Sequence, residues 1–173
     1  MDKALLEQAQ KGLRLADITL RSSLSQLREG FEPKYHPVPE EAQFMQSVRR
    51  FEILEVGADE GKRRIFRVWI EFGIRWMNQA AEDLSQTEML DAGMESQKVE
   101  ELARIQATYV VEYEVQRELP RKALNEFARY NAPWHVWPFW REFVMNQCAR
   151  LELPRAALPM QCLPNGQAED LEG

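Results

Sequence analysis

The chain is predicted to be an α+β domain, an antiparallel sheet followed by two helices, and two observations carry that prediction. Residues 65–76 and 105–117 alternate apolar and polar side chains at period two, as strands with one buried face do. Downstream of them, apolar residues recur at steps of three and four, the spacing that lines one face of a helix. The 173 residues suit one core, and 45% hydrophobic with 29% charged content sits near the globular average.

Taken in order, residues 1–12 carry charges throughout and lack the apolar segment of about 7–15 residues that a secretory signal needs. They are set apart as an N-terminal extension to a domain spanning 13–160. Residues 13–28 are ambiguous, because Ile18, Leu20, Ser22 and Leu24 alternate while Leu13, Leu20, Leu24 and Leu27 equally line a helix. A Pro-rich loop follows, punctuated by Phe31, Tyr35 and Phe44. Loops seldom carry so many aromatics. Either they pack onto the sheet, or they build an apolar groove that accepts extended peptide.

Residues 48–56, VRRFEILEV, are β-rich and lead through a Gly/Asp turn into the next strand, as an antiparallel hairpin does. In that strand Phe66, Val68, Ile70, Phe72, Ile74 and Trp76 share one parity, against Arg67, Glu71 and Arg75. Residues 79–100 form a polar insertion before the strand in which Ile105, Ala107, Tyr109, Val111, Tyr113 and Val115 share a face. Pro120 fits a first helical turn, Leu124, Phe127 and Ala128 follow at helical spacing, and Asn131-Ala-Pro133 is read as the stop. A second helix runs from His135 to Leu151, with Pro138 near its start. The ending, 161–173, is read as a flexible acidic tail from its Pro164, Gly166 and carboxylates.

Charge and motifs exclude much. A formal charge of −6 offers a phosphate backbone no net attraction, so Arg49-Arg50 and Lys62-Arg63-Arg64 are read as solvated charge. Nothing approaches the roughly 20 apolar residues of a membrane span, so the protein is expected in the cytosol, with Cys148 and Cys162 reduced. Their spacing matches no zinc or redox pair, and no metal or cofactor is expected. No nucleophile elbow, phosphate loop, dinucleotide fingerprint or zinc-hydrolase motif occurs, and the two histidines, His36 and His135, sit in a loop and at a helix start. Glu71, Glu112 and Glu114 are the candidates for acid–base work, but each falls on the polar parity of a strand, where a wet sheet face needs charge. No catalytic residue is assigned, and the chain is not expected to be an enzyme.

The stretch Glu118 to Pro159, ELPRKALNEFARYNAPWHVWPFWREFVMNQCARLELPRAALP, resembles the SecB family of export chaperones in its layout. The residues that carry the likeness are Tyr130, Pro133, Trp137-Pro138-Phe139 and Arg141-Glu142, then Leu153-Pro154 and Leu158-Pro159. Leu15 to Pro33 looks like the family's first strand running into its crossover loop, which implies a strand for residues 13–28. The implied fold is a four-stranded antiparallel sheet with two C-terminal helices packed on one face, assembled as a dimer of dimers.

On that resemblance Trp137, Trp140, Val144, Cys148 and Leu151 would form an oligomer interface. Leu20, Leu24, Leu27, Phe31, Tyr35, Val38 and Phe44 would contact a client. The implied activity is ATP-independent holding of unfolded polypeptide, either an export preprotein or the antitoxin of a toxin–antitoxin pair. The long insertion, the short tail and Arg104, which falls where the family has an acidic docking position, fit the antitoxin branch and put docking on the export motor in doubt. The competing reading is a non-chaperone module that recognises one folded partner.

Overall fold

The computed structural model describes residues 1–57, 61–78 and 100–158; the tail at 161–173 and all of the insertion except Glu100 lie outside them. The elements are α1 (Lys3–Gln10), β1 (Leu13–Leu27), β2 (Gln43–Val56), β3 (Arg63–Met77), β4 (Glu101–Val115), α2 (Arg121–Tyr130) and α3 (Ala132–Arg150). The four strands form one antiparallel sheet in the order β1-β4-β3-β2, so β1 and β2 are its edges. Both C-terminal helices lie on one face of it, as expected.

Alternation explains which face they cover. Phe66, Val68, Ile70, Phe72, Ile74 and Trp76 of β3 are all at most 1% exposed, and Ile105, Ala107, Tyr109, Val111 and Tyr113 of β4 are buried beside them. Helix α3 supplies the other half of this core with Val136, Trp137, Trp140, Val144 and Cys148. Phe72 lies between Trp137 at 5.8 Å and Trp140 at 5.6 Å, and Phe66 meets Phe127 of α2 at 6.4 Å. Burying each such side chain contributes about 1.5–3 kcal/mol, which is why the helices dock here.

Burial also sets the protonation of the polar groups caught in this layer. The Tyr113 hydroxyl lies 2.8 Å from His135 Nδ1, and desolvation raises the phenol and lowers the imidazole, so both stay neutral. Tyr109 is pushed up to about 12 by burial and, secondarily, by the charge of Glu142. Burial likewise raises the Cys148 thiol.

Several expectations need correcting. The first of the two helices ends at Tyr130, as read, but the second starts at Ala132 and not at His135, so α2 and α3 are separated by Asn131 alone and read as one bent helix. Pro133 sits in the first turn of α3, where a missing N–H has no partner to lose. Since α3 starts at Ala132, Pro138 lies inside the helix, on its exposed side. The residues set apart as an extension are joined to the domain. Asp2 caps α1 by accepting from the backbone N–H groups of Ala4 and Leu5, and Ala9 is fully buried. Gln10 donates to Asn131 at the bend, 2.8 Å away, and the Asp2 N–H donates to Glu126 of α2, also at 2.8 Å.

Strand β1 resolves the ambiguous segment and explains its ambiguity. Register shifts fall between Leu15 and Asp17 and between Leu20 and Ser22. Each extra residue flips the parity. Side chains facing the helices are therefore Leu13 and Leu15, then Ile18 and Leu20, then Ser23, Ser25 and Leu27, matched in register to helix-side residues of β4. Leu24, opposite Gln106, points to the other face.

Candidate functional site

With the centre of the sheet sealed, the large apolar side chains left in solvent mark its margins. Leu15, Leu20 and Leu24 on β1 and Phe44, Met45, Ile53 and Val56 on β2 are each between 38% and 47% exposed. An edge strand also presents backbone N–H and C=O groups with no neighbour on its outer side. Free backbone beside apolar side chains is what an extended polypeptide needs to bind by strand addition.

Strand β2 carries a groove on each face. On the open face, away from the helices, a groove of about 300 Å³ runs over Gly73 between Met45 and Gln106, with Phe44, Arg75 and Arg104 at its rim. The register places Met45, Gly73, Gln106 and Leu24 in one row across all four strands. Gly73 is what makes the depression, since a Cβ there would come within 3.2 Å of Met45 Cε. On the helix side, Phe51 and Ile53 of β2 meet Leu119 and Leu124 around a groove of about 450 Å³.

The residues named from the resemblance scatter over these surfaces. Leu24 and Phe44 adjoin the Gly73 groove, Leu20 and Leu27 face the helix side of β1, and Val38 is half-buried in the crossover loop. Tyr35 stands 72% exposed, whereas Phe31 is 5% exposed and belongs to the core, stacked on His36. The placement of Phe31 on a client surface is thus corrected: a backbone turn from Arg28 folds the ring inward. The sequence reading missed Met45, Ile53, Val56, Leu15 and Gly73. Starting β2 at Gln43 in place of Val48 would have recovered Met45.

The stripe assigned to an oligomer interface also lies inward. Trp137, Trp140, Val144 and Cys148 are at most 4% exposed within the single chain, and Leu151 is half-buried at its end. The chain's own sheet closes this stripe, so the apolar spacing needs no second subunit to account for it. What α3 turns outward is Trp134, Phe139 and Met145, each about half exposed.

The open face holds the three carboxylates, and each meets an arginine. Glu71 pairs with Arg49, Glu112 with Arg67 at 2.6 Å, and Glu114 with Arg14 and Arg63. The Arg14 contact, ahead of the other charges, holds the Glu114 carboxyl below its ordinary range. Neither groove is lined by any of the three. Arg50 stacks over Trp69 at 4.0 Å from the ring centre, so the Arg49-Arg50 cluster is engaged within the protein. Among the described residues no cluster of His, Cys, Asp and Glu could hold a metal, and no helix is long and apolar enough to cross a membrane.

This four-stranded antiparallel sheet with two C-terminal helices on one face is shared with a solved SecB-like chaperone. The Mycobacterium tuberculosis Rv1957 SecB-like chaperone, solved in complex with a ChAD peptide from the Rv1956 HigA1 antitoxin, matches this chain with a TM-score of 0.58. The match covers 93% of this chain and 99% of that one at 15% identity, a likeness of fold. No family model and no curated protein matches the sequence.

Proposed function

We propose that this protein is an ATP-independent chaperone that holds unfolded or extended polypeptide, and that its client is the antitoxin of a toxin–antitoxin pair. The observation that carries the reading is the concentration of exposed Leu, Phe, Met, Ile and Val side chains on the two edge strands, beside free backbone. A soluble monomer seldom leaves such margins open unless they bind something. A folded protein hides its own apolar segments and offers no strand to add, so the surface discriminates by conformation. The fold shared with a chaperone that carries an antitoxin peptide supports the choice of client over an export preprotein.

Affinity in this reading comes from several weak contacts engaged together. Assembly as a cytoplasmic homotetramer would multiply them, and the outward Trp134, Phe139 and Met145 of α3 are the side chains available for subunit contact. Hydrogen exchange tests the proposal directly. Saturation with a reduced, permanently unfolded polypeptide is expected to slow exchange of the β2 amides from Gln43 to Val56 without nucleotide. Unchanged exchange along both edge strands would contradict it.

A further inference from the structure

On the open face two arginines stand directly opposite each other. Arg75 of β3 and Arg104 of β4 are register partners. Side chains so placed have Cβ atoms about 5 Å apart, and like charges there destabilise a sheet. Counter-charge is short: Arg104 reaches Glu101 at 2.7 Å, while Arg75 donates to the Gln43 amide oxygen at 2.9 Å and meets no carboxylate among the described residues. Elsewhere on this face Arg14, Arg49 and Arg67 each have a glutamate, and Arg50 is stacked over Trp69. The conflict between local charge and local fold falls at the rim of the Gly73 groove, which has two guanidiniums and no carboxylate in its walls on a chain of net charge −6. One carboxylate against two opposed guanidiniums leaves the local rule only partly compensated, and such departures are expected at functional positions.

We propose that the Gly73 groove reads an acidic side chain. It selects extended peptide segments in which an Asp or Glu neighbours an apolar residue, the carboxylate bridging Arg75 and Arg104 and the apolar neighbour resting on Met45 over Gly73. This rests on the polypeptide-holding reading and adds which segments are held most tightly. A guanidinium presents paired N–H donors that match a carboxylate, and such charge-assisted bonds are about twice as strong as neutral ones. An anion between the two arginines also removes their mutual repulsion, so relief of an existing cost adds to the contact. Met45, opposite Gly73, covers one side of the groove, excludes water there and strengthens the attraction. A neutral segment keeps the apolar floor but leaves the guanidiniums opposed.

The test uses two labelled peptides, acetylated and amidated so that no terminal charge remains, identical in an extended apolar sequence except for a central Glu or Gln. Fluorescence anisotropy with the full-length protein is expected to give about tenfold tighter binding of the Glu peptide at low salt, an advantage that shrinks as salt rises. In Arg75→Gln with Arg104→Gln the ratio of Glu-peptide to Gln-peptide affinity should fall to about one and lose its salt dependence, and thermal melting should be no lower than wild type because a repulsion has been removed. Equal binding of both peptides by the wild type, or an advantage that survives in the variant, overturns the acidic selectivity alone. Failure of the protein to bind either peptide overturns the polypeptide-holding reading and the selectivity with it.

Discussion

Phe31 and Tyr35 sit one turn of loop apart and serve different ends. Phe31 fills the end of the core, so Phe31→Ala is expected to cost about 3–5 kcal/mol of stability. Tyr35 is mostly in solvent, so Tyr35→Ala should leave stability within about 0.5 kcal/mol and weaken polypeptide binding. Denaturant unfolding and anisotropy on the two variants check this, and a destabilised Tyr35→Ala would move that ring into the core. His135 gives a pH signature. Burial lowers its folded pKa below the ordinary 6.5, so the unfolded chain binds the extra proton first and stability falls as pH drops through that window. Thermal melts from about pH 7 to about pH 5 should show a decline that flattens in His135→Gln; equal slopes would place the titration elsewhere. Aromatic content alone marked the loop as unusual, but which ring turned inward depended on a backbone turn that composition does not encode.

At the scale of elements, legibility followed period. Strands β3 and β4 keep one parity apolar over most of their length because helices cover that face, with charged residues recurring on the other, and both were readable. Two parity flips in β1 blend strand and helix patterns, and only the family layout favoured the strand. They also carry Leu24 to the face opposite Leu20, which no pattern of uniform period two can reveal. Helix α1 was unreadable for a different reason: its eight residues are too few to stand without α2 behind them. Deleting residues 2–11 removes Leu5, Leu6 and Ala9 from the core margin and is expected to cost about 3 kcal/mol, or roughly 6–12 °C in Tm. An unchanged Tm would mean that α1 only rests on the surface.

For the whole molecule, the division of labour is between a sealed centre and open margins. Helices close one face of β3 and β4, and arginine–glutamate pairs dress most of the other. That leaves the edge strands and the grooves beside β2 as the places where another chain can join the sheet. The site residues were legible only in part, since being apolar is visible in a sequence and being at an edge is a property of strand order. The same strand order makes the central claim testable in one step. Light scattering on a sizing column, with the protein alone and mixed with a reduced, permanently unfolded polypeptide or its folded form, reads assembly and binding together. The account predicts co-elution with the unfolded chain and not with the folded one, without nucleotide. A protein that ignores the unfolded chain, or binds both forms alike, would contradict it.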